Sequence, residues 1–343
     1  MAKEKFIKYY FPILIIMVII FAGLEIAVAS TTIKVALITP DGSPWTNTLR
    51  KMTSEVEKKT DDEIDFKIYA GGISGDETDV FRKMRVNRIH AAGFSGVGLG
   101  IILPMIRILE APLLYNNSKE IDLIKEKLYE EFAAGFEKKG YILLGFAEAG
   151  FVYFFSRKKM SGPDGLKDIK MWVWKSDTVA KTTLETFGIR TYPLHQADVN
   201  TGLETGMIDS FYSPPLAAIY FQWHSKIQYF LDYPVVNSTG ALLLKKEIFY
   251  KLSEKNQIIL KQTTEKYCRE LVYNTRKGNR EAHAVLKKMG IIIESPSKKQ
   301  MASFKEDAEK IYEKSIPQLY SRELFNKVQD ILKVYRNTQK SKP

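Results

Sequence analysis

The chain has 343 residues, 45% of them hydrophobic and 27% charged. That excludes a fibrous or intrinsically disordered protein and leaves room for two domains with sizeable cores. Its formal net charge of +11 comes mostly from scattered lysine, with no basic stripe interleaved with exposed aromatics, which argues against nucleic-acid binding and fits solubility or weak attraction to an anionic membrane face.

Residues 1–29 read as a secretory signal. Lys3, Lys5 and Lys8 precede an apolar run from Phe11 to Leu24, and Ala27-Val28-Ala29 forms a small-x-small cleavage site before Ser30. The run is short for a membrane span, which needs about 20 residues, so a retained anchor is the alternative. The one cysteine, Cys268, allows no internal disulfide and reads as a buried, inert thiol.

The strand-like run Ile33–Ile38 ends in the breaker-rich loop TPDGSPW, and a helix follows from about Thr46 to Lys59. Ile64–Tyr69 is the next strand, then the turn AGGISGDE and a helix through Met84. Arg88–Gly93 is the third strand, ending at FSGVGLG. Strands alternating with helices imply βαβ units and a parallel sheet, with ligands binding beyond the carboxyl ends of the strands. Ser118–Lys139 reads as one amphipathic helix. Tyr141–Ala147 and Phe151–Ser156 read as two strands flanking Glu148-Ala149-Gly150.

A second α/β unit follows, from Ser161 to Pro215, with strands ending in KMWVW and SFYS. Ile227–Tyr233 and Ser238–Leu244 are further strands leading back to the first unit. Ser253 then caps a long helix that runs to Met289, with Gly290 just beyond it and Gly278 a candidate kink. At about 1.5 Å per residue it reaches roughly 50 Å, enough to touch both units. The expected organisation is α/β, a two-lobed architecture of the Venus-flytrap kind with a long helix contacting both lobes. Residues 32–153 plus 241–280 form lobe I, 154–240 plus 281–335 form lobe II, and 336–343 form a disordered tail. Several chain crossings suit hinge closure over a ligand.

The candidate cleft residues sit at strand ends and loops. Trp172 and Trp174 share a parity and face one side of their strand, and Tyr212 with Ser213 ends another. Phe211 alternates away from Tyr212, so one of that pair faces the cleft. Trp45 follows Pro44 in a strand-end loop, and Phe94 with Ser95 offers backbone N–H groups to a ligand oxygen. Glu148 and Tyr153 lie at the crossover, and Trp223 and His224 are weaker candidates. Each admits the plainer reading of core packing or a solvated loop.

Enzyme motifs fail on spacing. Gly93–Val97 lacks the final glycine of G-x-S-x-G, and Gly96–Gly100 lacks G-x-G-x-x-G spacing and an acidic partner. His90, His195, His224 and His283 are scattered, so neither a metal nor a cofactor is expected.

In order and at these spacings, TPDGSPW, IYAGGISGDETDVFRKMRVNRIHAAGFSGVGL, ILEAPLLY, GLKDIKMWVW, LETGMIDSFYSPP and LKKMGIIIESP resemble the DctP-type substrate-binding proteins of tripartite ATP-independent periplasmic (TRAP) transporters. The resemblance covers nearly all of the chain after residue 29. It implies a periplasmic protein without catalytic activity that captures a small molecule between two lobes and delivers it to integral membrane subunits. It also implies an arginine after the GLK segment, as in GLKxRVP, to hold a carboxylate. Trp172 stands there, and DSFYSP replaces a DGQENP-like segment at Asp209–Pro214. A guanidinium holds a carboxylate bidentately and an indole cannot. The expected ligand is therefore apolar or aromatic in character. A periplasmic sensor module, or a secreted enzyme on the same fold, are the alternatives. The sequence specifies no oligomeric state.

Overall fold

The computed structural model describes residues 30–161 and 165–340, so the expected signal segment and the last three residues of the expected tail lie outside the described residues. The first unit forms as the alternation predicts. Strands β1 (Thr31–Ala36), β2 (Ile64–Tyr69) and β3 (Ala91–Ser95) are separated by helices Pro44–Lys59 and Glu77–Arg85. β1 pairs parallel with both neighbours. Ser43 caps the first helix by accepting a hydrogen bond from the Thr46 N–H, and Pro44 occupies the first helical position, where no donor is lost. Ile33 and Val35 of β1 share a buried cluster with Leu49, Met52 and Val56 of that helix.

The sequence reading placed two strand pairs at the crossover; the structure has two continuous strands. β4 (Tyr141–Ser156) is 16 residues long and β8 (Tyr229–Lys245) is 17. They run antiparallel from Tyr141↔Lys245 to Ser156↔Tyr229. Register shifts at Leu143/Gly145, Glu148/Gly150 and Val152/Phe154 bend the pair without ending it. Gly150 adopts φ +105°, which an L side chain rarely reaches, so the apparent turn is a bulge.

β5 (Lys170–Trp174), β6 (Arg190–Leu194), β7 (Ser210–Ser213) and β9 (Ile292–Glu294) complete one nine-stranded sheet among the described residues. Its order is β2-β1-β3-β8-β4-β7-β5-β6, with β9 on β8. Two layers of core flank the sheet in each lobe. Leu143 and Leu243 face one cluster in lobe I and Leu144 and Leu244 the other. In lobe II Phe155 and Trp172 face one cluster, and Phe154 and Met171 the opposite one. The long helix, Glu254–Lys288, has 35 residues and is unbroken at Gly278, where the missing Cβ makes room for Leu216. Leu260 buries in lobe I and Leu286 in lobe II, so the helix contacts both.

Three further expectations are corrected. The helix expected over Ser118–Lys139 is two, Ser118–Lys127 and Tyr129–Lys138, because Leu128 leaves helical geometry. The region expected to be a frayed tail is helical to Lys340, and Arg336 donates hydrogen bonds to Glu120 and to the Leu114 carbonyl. The C-terminal helix Arg322–Lys340 does not pack in lobe II: Leu324, Phe325, Val328 and Leu332 bury in the lobe I cluster. Helix Lys298–Ser315 passes between, with Phe304 in lobe II and Tyr312 in lobe I. Among the described residues, no helix is long and apolar enough to cross a membrane.

Leu332 is 1% exposed, so Leu332→Ala removes a buried isobutyl group from lobe I. Urea unfolding should show a loss of about 2–4 kcal/mol. No loss would mean that this helix does not belong to the lobe I core.

Candidate functional site

A cleft of about 1490 Å³, counting the solvent at its mouth, lies between the lobes where β4 and β8 cross. One wall is built on Trp45. Its indole rests over Gly93 of β3 and Gly240 of β8, where a Cβ would stand 3.3 and 2.6 Å from the ring. Phe94 and Ser95 also line this wall.

The opposite wall comes from β5 and β7. Trp172 stacks on Tyr212 at 5.3 Å between ring centroids and meets Trp223 edge-on at 5.1 Å. Its indole N–H donates to the Leu194 carbonyl at 3.2 Å, which satisfies the only polar atom of the side chain. The Trp174 indole N–H donates across the cleft to Asp76 Oδ2 at 2.8 Å. Asp76 Oδ2 also lies 3.0 Å from His195 Nδ1, so one lobe I carboxylate grips two lobe II side chains at the mouth. Ser213 lines the cleft as well.

Seven of the expected site residues thus line one cavity: Trp45, Phe94, Ser95, Trp172, Trp174, Tyr212 and Ser213. Three do not. Phe211 faces away from Tyr212 and stacks on Phe155 inside the lobe II core, as strand alternation dictates. Tyr153 packs against Phe230 and His283, and burial pushes its hydroxyl up to about 12. Glu148 is a structural ion rather than a solvated or ligand-facing acid. It is 1% exposed and bound by Arg276 of the long helix through two hydrogen bonds of 2.6 and 2.9 Å, with Lys125 at 3.5 Å. Of the weaker candidates, Trp223 lines the cleft and His224 does not.

Sequence reasoning missed the charges. Arg107, on the 3₁₀ helix Pro104–Glu110 of lobe I, lines the cleft at 5% exposure. It contacts Glu110 at 3.1 Å and donates at 2.8 Å to Asp177, which lies in lobe II. Asp177 caps helix Thr178–Thr186 through the Ala180 N–H and accepts from the Tyr212 hydroxyl at 3.4 Å. Glu110 accepts the Thr239 N–H at 2.8 Å. A signal was present: an arginine and a glutamate three residues apart inside the apolar run PMIRILEAP imply a buried pair.

The glycine run Gly96–Gly100, rejected above as a nucleotide loop, has a packing reason. A Cβ at Gly96 would meet the Glu110 carboxylate at about 2.1 Å. One at Gly98 would meet Glu77 Oε2 at 2.6 Å, and one at Gly100 the Arg107 side chain at 2.7 Å. Three glycines on one short helix therefore make room for three buried charged side chains. Glu77 accepts hydrogen bonds from the Ser95 N–H and hydroxyl and the Gly98 N–H. Burial nevertheless raises both Glu77 and Glu110 to about 7, against the hydrogen bonds of Ser95 in one case and the charge of Arg107 in the other. Among the described residues no group of histidine, cysteine or carboxylate side chains could hold a metal ion.

Two α/β lobes sharing a sheet, one helix bracing both, and an enclosed cleft between them describe a solute-binding protein of the two-lobed class. Residues 35–318 match the bacterial extracellular solute-binding protein family 7, DctP, and the chain belongs to that family. A solute-binding protein of Chromohalobacter salexigens is 25% identical over 174 residues, covering 50% of this chain and 52% of that one, about half its length. A TRAP periplasmic solute-binding protein of Ralstonia eutropha, solved with (S)-2-acetolactate, superposes with a TM-score of 0.82 at 20% identity, covering 88% of this chain and 98% of that one. Another from Haemophilus influenzae, solved with L-gulonate, gives a TM-score of 0.81 at 20% identity, covering 89% and 99%. The family and these relatives are solute-binding proteins, not enzymes.

Glu77 sets a pH dependence. Between its ordinary value of 4.5 and about 7, the folded chain holds a proton that the unfolded chain has released. Stability contributed by this group therefore falls as pH rises through that window and is level above it. Urea unfolding at pH 5 and pH 7.5 should show a smaller drop for Glu77→Gln than for the unsubstituted chain. Equal drops would mean that Glu77 titrates normally.

Proposed function

We propose that this chain is the solute-capturing subunit of a TRAP-type transporter, exported to the periplasm, and that its cleft takes a ligand with a substantial apolar or aromatic body. One observation carries the ligand reading: Trp172 stands on the strand after GLK, stacked on Tyr212, where the family resemblance leads one to expect a carboxylate-binding arginine. The only arginine lining the cleft among the described residues, Arg107, already faces two carboxylates. Trp45, Trp174, Trp223, Phe94 and Phe221 add aromatic walls. Water leaving such faces on closure favours apolar ligands.

The relatives supply a second reading. The Ralstonia and Haemophilus proteins were solved with carboxylates, acetolactate and gulonate. A sugar acid in this cleft would need Arg107 to release Asp177. Ligand capture alone also serves a sensor module, and neighbouring genes for multi-span membrane subunits would favour transport.

The test is native purification of the exported chain, with mass spectrometry of co-purifying small molecules. Thermal shift should then rank the recovered compound above L-gulonate. Burying an apolar ligand against one indole contributes about 1.5–3 kcal/mol, so Trp172→Ala should weaken it by roughly ten- to a hundredfold in calorimetry. Recovery of a sugar acid, or unchanged affinity in the folded Trp172→Ala chain, would overturn the apolar reading.

A further inference from the structure

The cleft contains a guanidinium that no ligand needs to neutralise. Arg107 belongs to lobe I, where Ile106, Ile108 and Leu109 beside it bury in the core. Asp177 belongs to lobe II, where it caps Thr178–Thr186 and the following Leu184 buries. Their side chains are 6% and 7% exposed and meet at 2.8 Å, so the bond joins the two lobes inside the closed cleft. We infer that Asp177 is a specificity residue: it supplies, from the protein itself, the carboxylate that an acidic ligand would otherwise bring to Arg107, so the lobes close on ligands that carry none. This rests on the apolar reading above and adds the reason acids are rejected.

The geometry supports the assignment in three ways. Asp177 is held on Arg107 by its own helix, through the Ala180 N–H at 3.1 Å, so the carboxylate is preorganised. Glu110 occupies a different nitrogen, Nη1, and sits on the same 3₁₀ helix as Arg107, so the Arg107–Glu110 pair stays within lobe I and does not replace Asp177 as a link between the lobes. Arg107 Nε is buried and has no hydrogen-bond partner among the described residues. Without Asp177, Nε and Nη2 would present the paired donors that a carboxylate accepts bidentately. An entering acid must now displace Asp177 and leave that carboxylate buried beside its own, a like-charge contact in a dry site. The ion pair itself adds little net closing force, because desolvation offsets most of its attraction. Its effect is on which ligand enters.

The experiment compares two probes of one skeleton, 4-phenylbutanol and 4-phenylbutanoate, by calorimetry at pH 8. The chain should bind the alcohol more tightly than the acid. Asp177→Asn and Asp177→Ser, both keeping a helix cap, should shift the ratio of affinities at least tenfold toward the acid, with circular dichroism unchanged. A folded Asp177 variant that keeps the preference for the alcohol overturns this inference and leaves the apolar reading standing. An unsubstituted chain that prefers the acid overturns both. If the single variants fail to fold, Arg107→Gln with Asp177→Asn removes both charges at nearly constant shape. That chain should gain nothing for the acid, because the guanidinium that would hold a carboxylate is gone. A gain in acid binding there, with the fold intact, overturns the inference.

Discussion

The antiparallel pair β4 and β8 carries backbone hydrogen bonds from one lobe into the other without a break, and everything else hangs on that continuity. Because the pair is continuous, each lobe completes its sheet on one part of the same two strands: β3 on the later part of β8, β7 and β9 on the far ends. The bulges give the pair its bend, and the cleft lies in that bend. Polar bonds brace it from behind. Arg276 joins Glu148 to Asp122, and Asn279 accepts the Leu216 N–H while donating to the Ala149 carbonyl. The long helix therefore grips the bulge of β4 and the start of helix Pro215–Tyr220 with neighbouring turns.

The second constraint is how an apolar cleft tolerates charge. Arg107, Glu110 and Asp177 are all buried, and a lone ion there would cost several kcal/mol. Grouping them, and raising Glu110 until it takes a proton near neutrality, limits that cost. The glycines of Gly96–Gly100 are the steric condition for the arrangement, since any side chain at Gly96 would occupy the position of the Glu110 carboxylate. The three charges are thereby grouped, and aromatic and aliphatic side chains with a few hydroxyl groups make up most of the remaining walls.

Much of this was legible in the sequence because period and punctuation are local. The parity of Trp172 and Trp174, the alternation of Phe211 against Tyr212, and the Ser253 and Gly290 ends of the long helix follow from a few neighbouring residues. What was not legible depends on distant partners. Glu148 in a loop-like Glu-Ala-Gly looks solvated until Arg276, 128 residues later, is seen to bind it. Gly150 looks like a turn until β8 is found running past it. The apolar stripe of Arg322–Lys340 says that the helix docks, and nothing in it says on which lobe. Asp177 reads as an ordinary helix cap, because its second partner lies 70 residues away.

The unbroken helix Glu254–Lys288 has a mechanical consequence. A rod about 50 Å long, buried at Leu260 in one lobe and Leu286 in the other, holds those two anchor points at a constant separation. Sliding the lobes apart along it would tear out one anchor. The motion left to the molecule is rotation, with the edge near the helix serving as the jamb and the Asp76–Trp174 edge swinging free. Access to the cleft is then that of a door, and the gap a solute meets widens with its distance from the helix.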